Sequence, residues 1–272
     1  MKVKHLLLSG LIAALSAAAF GGGNYKLEFK YILGNVSKYK NAINMEIRSA
    51  SLPGGKMVMT EESIETSKVV SVNADGSAEV ESSTSSFVQK VNGEKTPASA
   101  SMLTGIPQDT LIVQKMSKTG RILSSRLAKD LPLADKVKVE AALRNMKDRG
   151  IKLPEKALQM GESWKSEEII SNEVPGMGVI DITLAMQYTL SSEEKVLGFK
   201  CVKILLAGSG SGTLGEGKGD INIKMKGALW IAPDKGELIK VSSEETDNLK
   251  IAGPNGQVEL DQIVVVSAEL IP

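Results

Sequence analysis

Period two dominates this chain. Ile180, Ile182, Leu184, Met186, Tyr188 and Leu190 alternate with Asp181, Thr183, Gln187 and Thr189. Successive side chains of a strand point to opposite faces, so this run has one apolar and one solvated face. Tyr25, Leu27, Phe29, Tyr31 and Leu33 alternate the same way with Lys26, Glu28 and Lys30, and Ile221, Ile223 and Met225 with Asp220, Asn222 and Lys224. Strands with one wet face belong to antiparallel sheets. Ile263, Val264, Val265 and Val266 are consecutive, which predicts a strand buried on both faces or bulged.

Turn chemistry separates the strands. Asn73-Ala74-Asp75-Gly76, Asn92-Gly93, Lys118-Thr119-Gly120, Pro233-Asp234-Lys235-Gly236 and Pro254-Asn255-Gly256 each offer a positive-φ residue or a preset proline. About ten to twelve strands result. One segment breaks the pattern. Residues 134–149 are rich in Ala, Leu, Lys, Glu and Arg, with Val137, Ala141 and Leu143 or Met146 near helical spacing and Gly150 at the stop. The polar stretch 95–109 predicts a further short turn of helix. The fold expected is mainly β: a curved antiparallel sheet or open half-barrel with one main helix at about 134–149, its apolar stripe covering the concave face.

Residues 1–19 read as a secretory signal peptide. Lys2 and Lys4 form a basic start, residues 6–15 a short apolar core, and Ala17-Ala18-Ala19 a small-residue site with cleavage after Ala19. That places the mature protein outside the cytoplasm, in a periplasm or the extracellular space. About 253 of the 272 residues remain, as a single β-rich domain from 20 to 272. Lys118–Ser125 echoes Lys235–Ser243; a duplicated sheet half on each side of the helix and a chance likeness of two hairpins both account for it.

Cleavage removes His5, the only histidine, and with it the commonest general base and metal ligand. A Ser–His–Asp triad is then impossible. Cys201 is the only cysteine, so no intramolecular disulfide forms and no histidine activates it; a small core residue is expected. Removing Lys2 and Lys4 takes the 33 basic residues to 31 against 32 acidic ones, which gives no electrostatic case for nucleic acid. No segment after the signal has the length and hydrophobicity of a membrane span.

The remaining motifs carry no chemistry. Gly210, Gly212 and Gly215 satisfy G-x-G-x-x-G, but a strand pattern follows where a dinucleotide site needs a helix. Gly212, Gly217 and Lys218 nearly match a phosphate loop, with Gly219 where Ser or Thr must stand. The stretch is read as a flexible hairpin loop. Met57 and Met59 form an M-x-M pair suited to Cu(I) but lacking helpers, and read as core. Glu61-Glu62, Glu167-Glu168, Glu193-Glu194 and Glu244-Glu245 read as solvated edges and turns. Asn35-Val36-Ser37 is a glycosylation sequon. No cofactor or metal site is expected.

Leu153-Pro154-Glu155 followed by Met160-Gly161-Glu162-Ser163-Trp164 resembles a motif of uncharacterised bacterial secreted β-rich proteins of a domain-of-unknown-function type. Residues 228–240, Ala-Leu-Trp-Ile-Ala-Pro-Asp-Lys-Gly-Glu-Leu-Ile-Lys, are similar to hairpins of lipoprotein-carrier-like half-barrels. That resemblance implies an exported sheet curved around a helix, with a lipid chain in its concavity, and no catalytic residue. Gly161 is expected to make a turn, and Trp164 and Trp230 to plug the sheet ends with their indole N–H groups on carbonyls. Three functions stay open: a non-enzymatic carrier of an apolar or lipid-like ligand, an envelope interaction module with a filled core, and a carboxylate-based hydrolase.

Overall fold

The computed structural model describes residues 23–97, 100–101, 104–146, 150–174, 178–214, 219–253 and 256–272. The expected signal peptide with His5 and Ala19 lies outside them. So do 147–149 of the expected helix, Gly215, Gly217 and Lys218 of the glycine-rich motif, and Pro254-Asn255.

The first half of the chain forms β1 (Val36–Arg48), β2 (Lys56–Val72), β3 (Ala78–Val91), β4 (Glu94–Thr96), β5 (Ile112–Met116) and β6 (Ile122–Leu127). The single α-helix among the described residues, α1, is Leu133–Met146. There follow β7 (Ser163–Val174), β8 (Gly178–Val196), β9 (Phe199–Leu214), β10 (Gly219–Ala232), β11 (Glu237–Gly253) and β12 (Gly256–Leu270). All pairings are antiparallel, in one 12-stranded sheet of order β6-β5-β3-β2-β1-β12-β11-β10-β9-β8-β7, with β4 pairing β3.

Alternation decides the faces. Ile182, Leu184, Met186, Tyr188 and Leu190 of β8 are buried, and their partners Ile204 and Leu206 on β9 are buried with them. The outward positions of β8, β9 and β10 carry Asp181, Thr183, Gln187, Lys203, Ser209, Lys224 and Lys226, with Ala185, Leu205 and Ala207 among them. Apolar in and polar out is the reverse of a transmembrane barrel, whose outer band is apolar.

The sheet is rolled. At one rim the β5–β6 and β10–β11 turns meet the same two residues. Phe29 N–H donates to the Lys118 carbonyl at 2.7 Å, and Lys30 N–H to the Gly236 carbonyl at 3.0 Å. Six strand spacings separate β5 from β10 along the sheet, roughly 29 Å of arc, yet adjacent residues bridge the turns. The two outermost strands also approach. Leu153 N–H donates to Thr119 O beside β6, while Trp164 Nε1–H of β7 donates to Lys152 O. Helix α1 contacts both β6 and β7, so it spans the gap of an incomplete barrel.

Several expectations change. Residues 25–32 form no strand; they cross the inside of the roll, tied by the bridge from Tyr25 to Leu158 and by the bonds of Phe29 and Lys30 to the two turns, and Leu33 lies in a turn. The alternation there serves a segment wedged between walls, with Leu27 only 1% exposed. Helix α1 packs through Val139 and Leu143 onto Ile112, on the face that β5 turns inward, whereas Val137 of the expected stripe is 58% exposed. No helix occurs among the described residues of 95–109, which instead hold β4 and a bridge from Ala100 to Pro107. Residues 263–266 form regular strand: Val264 is buried and Val265 faces out at 39% exposure.

Candidate functional site

The inner face has two halves. Along β8, β9 and β10 it is filled. Leu27, Leu153 and Leu158 descend onto Ile182, Leu184, Leu190, Ile204 and Ile231 in one continuous core. Along β1, β2, β3 and β5 it stays open. There a cavity of about 620 Å³ lies between the sheet and the crossing segment at 29–32. Ligand pockets commonly hold roughly 300–1,000 Å³.

The lining of this cavity is amphipathic. Phe29, Tyr31, Tyr39 and Phe199 supply rings, and Val69, Val80 and Met116 aliphatic surface. Asn41, Glu65, Ser67, Ser82 and Gln114 form a polar floor on neighbouring strands. The registers explain this row: Tyr39 faces Glu65 across β1 and β2, Ser67 faces Ser82 across β2 and β3, and Val80 faces Gln114 across β3 and β5.

Burial raises the Glu65 carboxyl above its ordinary range, and a hydrogen bond with Asn41 partly offsets this. Tyr39 OH donates to Leu238 O at 2.9 Å, and Tyr31 OH to Ser117 O at 3.2 Å. Burial pushes both phenols up, and for Tyr39 the charges of Glu237 and Glu65 add to it. Both tyrosines therefore stay neutral at physiological pH. Glu237 accepts from Ser37 Oγ at 2.8 Å.

Gly120 shapes the rim. Its φ is +86°, and a Cβ there would sit 2.5 Å from Ile151 O and from the Phe29 ring. Only glycine lets the turn, the crossing segment and residue 151 meet.

The glycine-rich motif has a different role from the expected loop. Gly208, Gly210 and Gly212 lie inside β9 on its inner face, opposite Met186, Leu184 and Ile182 of β8. A Cβ on Gly208 would stand 2.1 Å from Met186 Sδ, and one on Gly212 2.4 Å from Asp181 O. The absent side chains make room for the large residues of β8. Gly219 opens β10 as strand, so no helix N-terminus faces a phosphate there.

The acidic pairs are also not turns. Each lies within a strand, so alternation turns its two members to opposite faces. Glu61 is 2% exposed and accepts from Gln89 Nε2 at 2.7 Å, while Glu62 stays exposed. Asp247, on the same inner face of β11 as Glu245, is pushed up to about 7, first by burial and then by Glu245. Glu168 pairs with Lys152 at 3.1 Å.

Trp164 stacks on Tyr188 with centroids 5.1 Å apart and donates Nε1–H to Lys152 O at 2.7 Å. Gly161, at φ +88°, turns the chain before β7 and donates to Leu190 O at 2.7 Å. Trp230 donates Nε1–H to Glu194 Oε2 at 2.7 Å, with the Lys203 ammonium 5.1 Å and the Lys240 ammonium 5.8 Å from its ring centroid. That hydrogen bond is the largest of the effects holding Glu194 below its usual range. Cys201 is 2% exposed, and burial raises its thiol. Met57 and Met59 stand half-buried on β2, facing Ile47 and Met45. Among the described residues, no three His, Cys, Asp or Glu side chains are grouped to hold a metal, and no helix is long and apolar enough to cross a membrane.

No family model and no curated protein matches the chain. Solved structures are similar to it only at low TM-scores. Lipovitellin, from a structure described as showing lipid–protein interactions, is 10% identical with a TM-score of 0.48. The match covers 89% of this chain, which spans only 26% of that one. The hypothetical lipoprotein YmcC from Escherichia coli is 9% identical over 82% of this chain and 85% of its own, with a TM-score of 0.28. An outer membrane channel from Pseudomonas putida is 7% identical over 89% and 97%, with a TM-score of 0.26. At TM-scores below 0.5, none of these likenesses bears on what this chain binds.

The residues that build the cavity carried little signal in the sequence. Glu65 had one: Met57, Met59, Glu61, Ser63 and Glu65 share one parity of β2, which sets two acids on a methionine-bearing face. Nothing local marked Tyr39 or Phe199 as partners, because the roll that joins them is not a local property.

Proposed function

We propose that this is an exported, non-enzymatic carrier that holds one amphiphilic molecule inside its rolled sheet. The observation that carries this reading is the cavity of about 620 Å³, which lies between the inner face and the crossing segment and is lined by both aromatic rings and a row of polar groups. The apolar part of the ligand lies along Phe29, Tyr39, Phe199, Val69 and Val80, and its polar end meets the row from Asn41 to Gln114. The signal-like N-terminus and the resemblance of residues 228–240 to lipoprotein-carrier-like half-barrels support the same compartment and ligand type.

Organic extraction of protein purified from its native compartment, followed by mass spectrometry, tests this. One lipid-like species in near-stoichiometric amount is expected. An empty extract, together with failure of the protein to bind an uncharged fluorescent apolar probe, would favour an interaction module without a ligand.

A further inference from the structure

The charges around the cavity are sorted by depth. Six titratable side chains line it: Lys30, Tyr31, Tyr39, Glu65, Lys235 and Glu237. Both lysines are exposed. The Lys30 ammonium is turned to the Pro233 and Asp234 carbonyls, at 3.3 and 3.2 Å. Both carboxyls are half-buried. Glu65 stands on the polar floor facing Tyr39, and Glu237 is held by Ser37 on β1, two residues from Tyr39. The rings of Phe29 and Tyr31 stack at 6.4 Å on the facing wall.

Two inward carboxyls beside several aromatic rings make a cation site. Rings attract ammonium groups through their quadrupoles, and desolvated carboxylates strengthen that attraction. A carboxylate or phosphate head would meet Glu65 and Glu237, while the two lysines of the lining are solvent-exposed and the Lys30 ammonium is already turned to backbone carbonyls. We propose that the cavity selects amphiphiles with a cationic amine head, seated between Glu65, Glu237 and the rings of Tyr31 and Tyr39. This inference rests on the carrier reading of the same cavity. An amine head beside Glu65 favours its ionised form, against the burial that raises this carboxyl.

Displacement of an uncharged fluorescent probe from the full-length mature protein tests the head group. The competitors are dodecylamine, dodecanol and dodecanoate at neutral pH, below their micellar concentrations. Dodecylamine is expected to compete roughly tenfold better than dodecanol, and dodecanoate worst. Glu65→Gln and, separately, Glu237→Gln should each shrink the ratio of dodecylamine to dodecanol competition, and retained binding of the uncharged probe reports that the cavity is still formed. Equal competition by all three, a dodecanoate preference, or an amine preference untouched in both variants would overturn the head-group assignment and leave the carrier reading standing. A probe that never binds the wild-type protein overturns both.

Discussion

The two halves of the inner face are made from the same alternating strands yet finish differently. Over β8 to β10 the inward residues are large and apolar, glycines on β9 make room for them, and three leucines from outside the sheet fill what remains. Over β1 to β5 polar inward residues, Asn41, Ser63, Glu65, Ser67, Ser82 and Gln114, stand among Tyr39, Ile43, Val69 and Val80, and the segment above them leaves space. Burying such groups against a dry core is costly unless each is hydrogen-bonded, so a polar inner face suits an occupant other than core side chains. The filled half acts as the anchor that keeps the roll rigid. The open half has only the small cluster of Ile112, Val139 and Leu143 beneath α1 as a core of its own.

The largest expected effects fall in the filled half. Trp164→Ala removes the ring stacked on Tyr188 and the bond to Lys152 O that ties residues 150–153 to β7. It should cost about 3–5 kcal/mol in denaturant unfolding. An unchanged unfolding midpoint would show that this edge is not held there. Next comes Gly212→Val, whose Cβ meets the Asp181 carbonyl, at about 1–3 kcal/mol. The same exchange at Gly198, where a Cβ meets nothing within 4 Å, tests φ strain without crowding and separates the two causes.

A smaller effect concerns Asp247. Its folded carboxyl holds a proton up to about pH 7, against an ordinary value of 3.8. Between those pH values the folded state binds more protons than the unfolded one, so this residue's contribution to stability falls as pH rises and the penalty is complete above about 7. Asp247→Asn should therefore raise the melting temperature at about pH 8, with the gain closing toward about pH 4. A gain independent of pH would assign the effect to packing.

Much of the strand map was legible in the sequence. The turns at Asn73–Gly76, Lys118–Gly120 and Pro233–Gly236 stand where chemistry placed them, and β8 buries the face that its alternation marks. Alternation reports a pleated chain, however, not its hydrogen-bond partners. That is why residues 25–33 resembled a strand although 25–32 cross the roll. It also hid the glycine strand: Gly208, Gly210 and Gly212 alternate with serines, but glycine's usual place in loops outweighed that period. The cavity was invisible for a deeper reason. It depends on roughly 29 Å of sheet curling until two hairpin turns meet Phe29 and Lys30, and no local sequence pattern encodes that arc.

If the open half of the inner face is a ligand site, filling it must weaken or abolish binding. Ser67 lies on the cavity floor, half-buried, between β1 and β3. Titrating an uncharged fluorescent probe into wild-type protein and Ser67→Phe, with circular dichroism confirming the sheet in both, tests this directly. The wild type should bind one probe, and the added ring should weaken that binding at least about tenfold. Equal binding by both folded proteins, or none by the wild type, would contradict it.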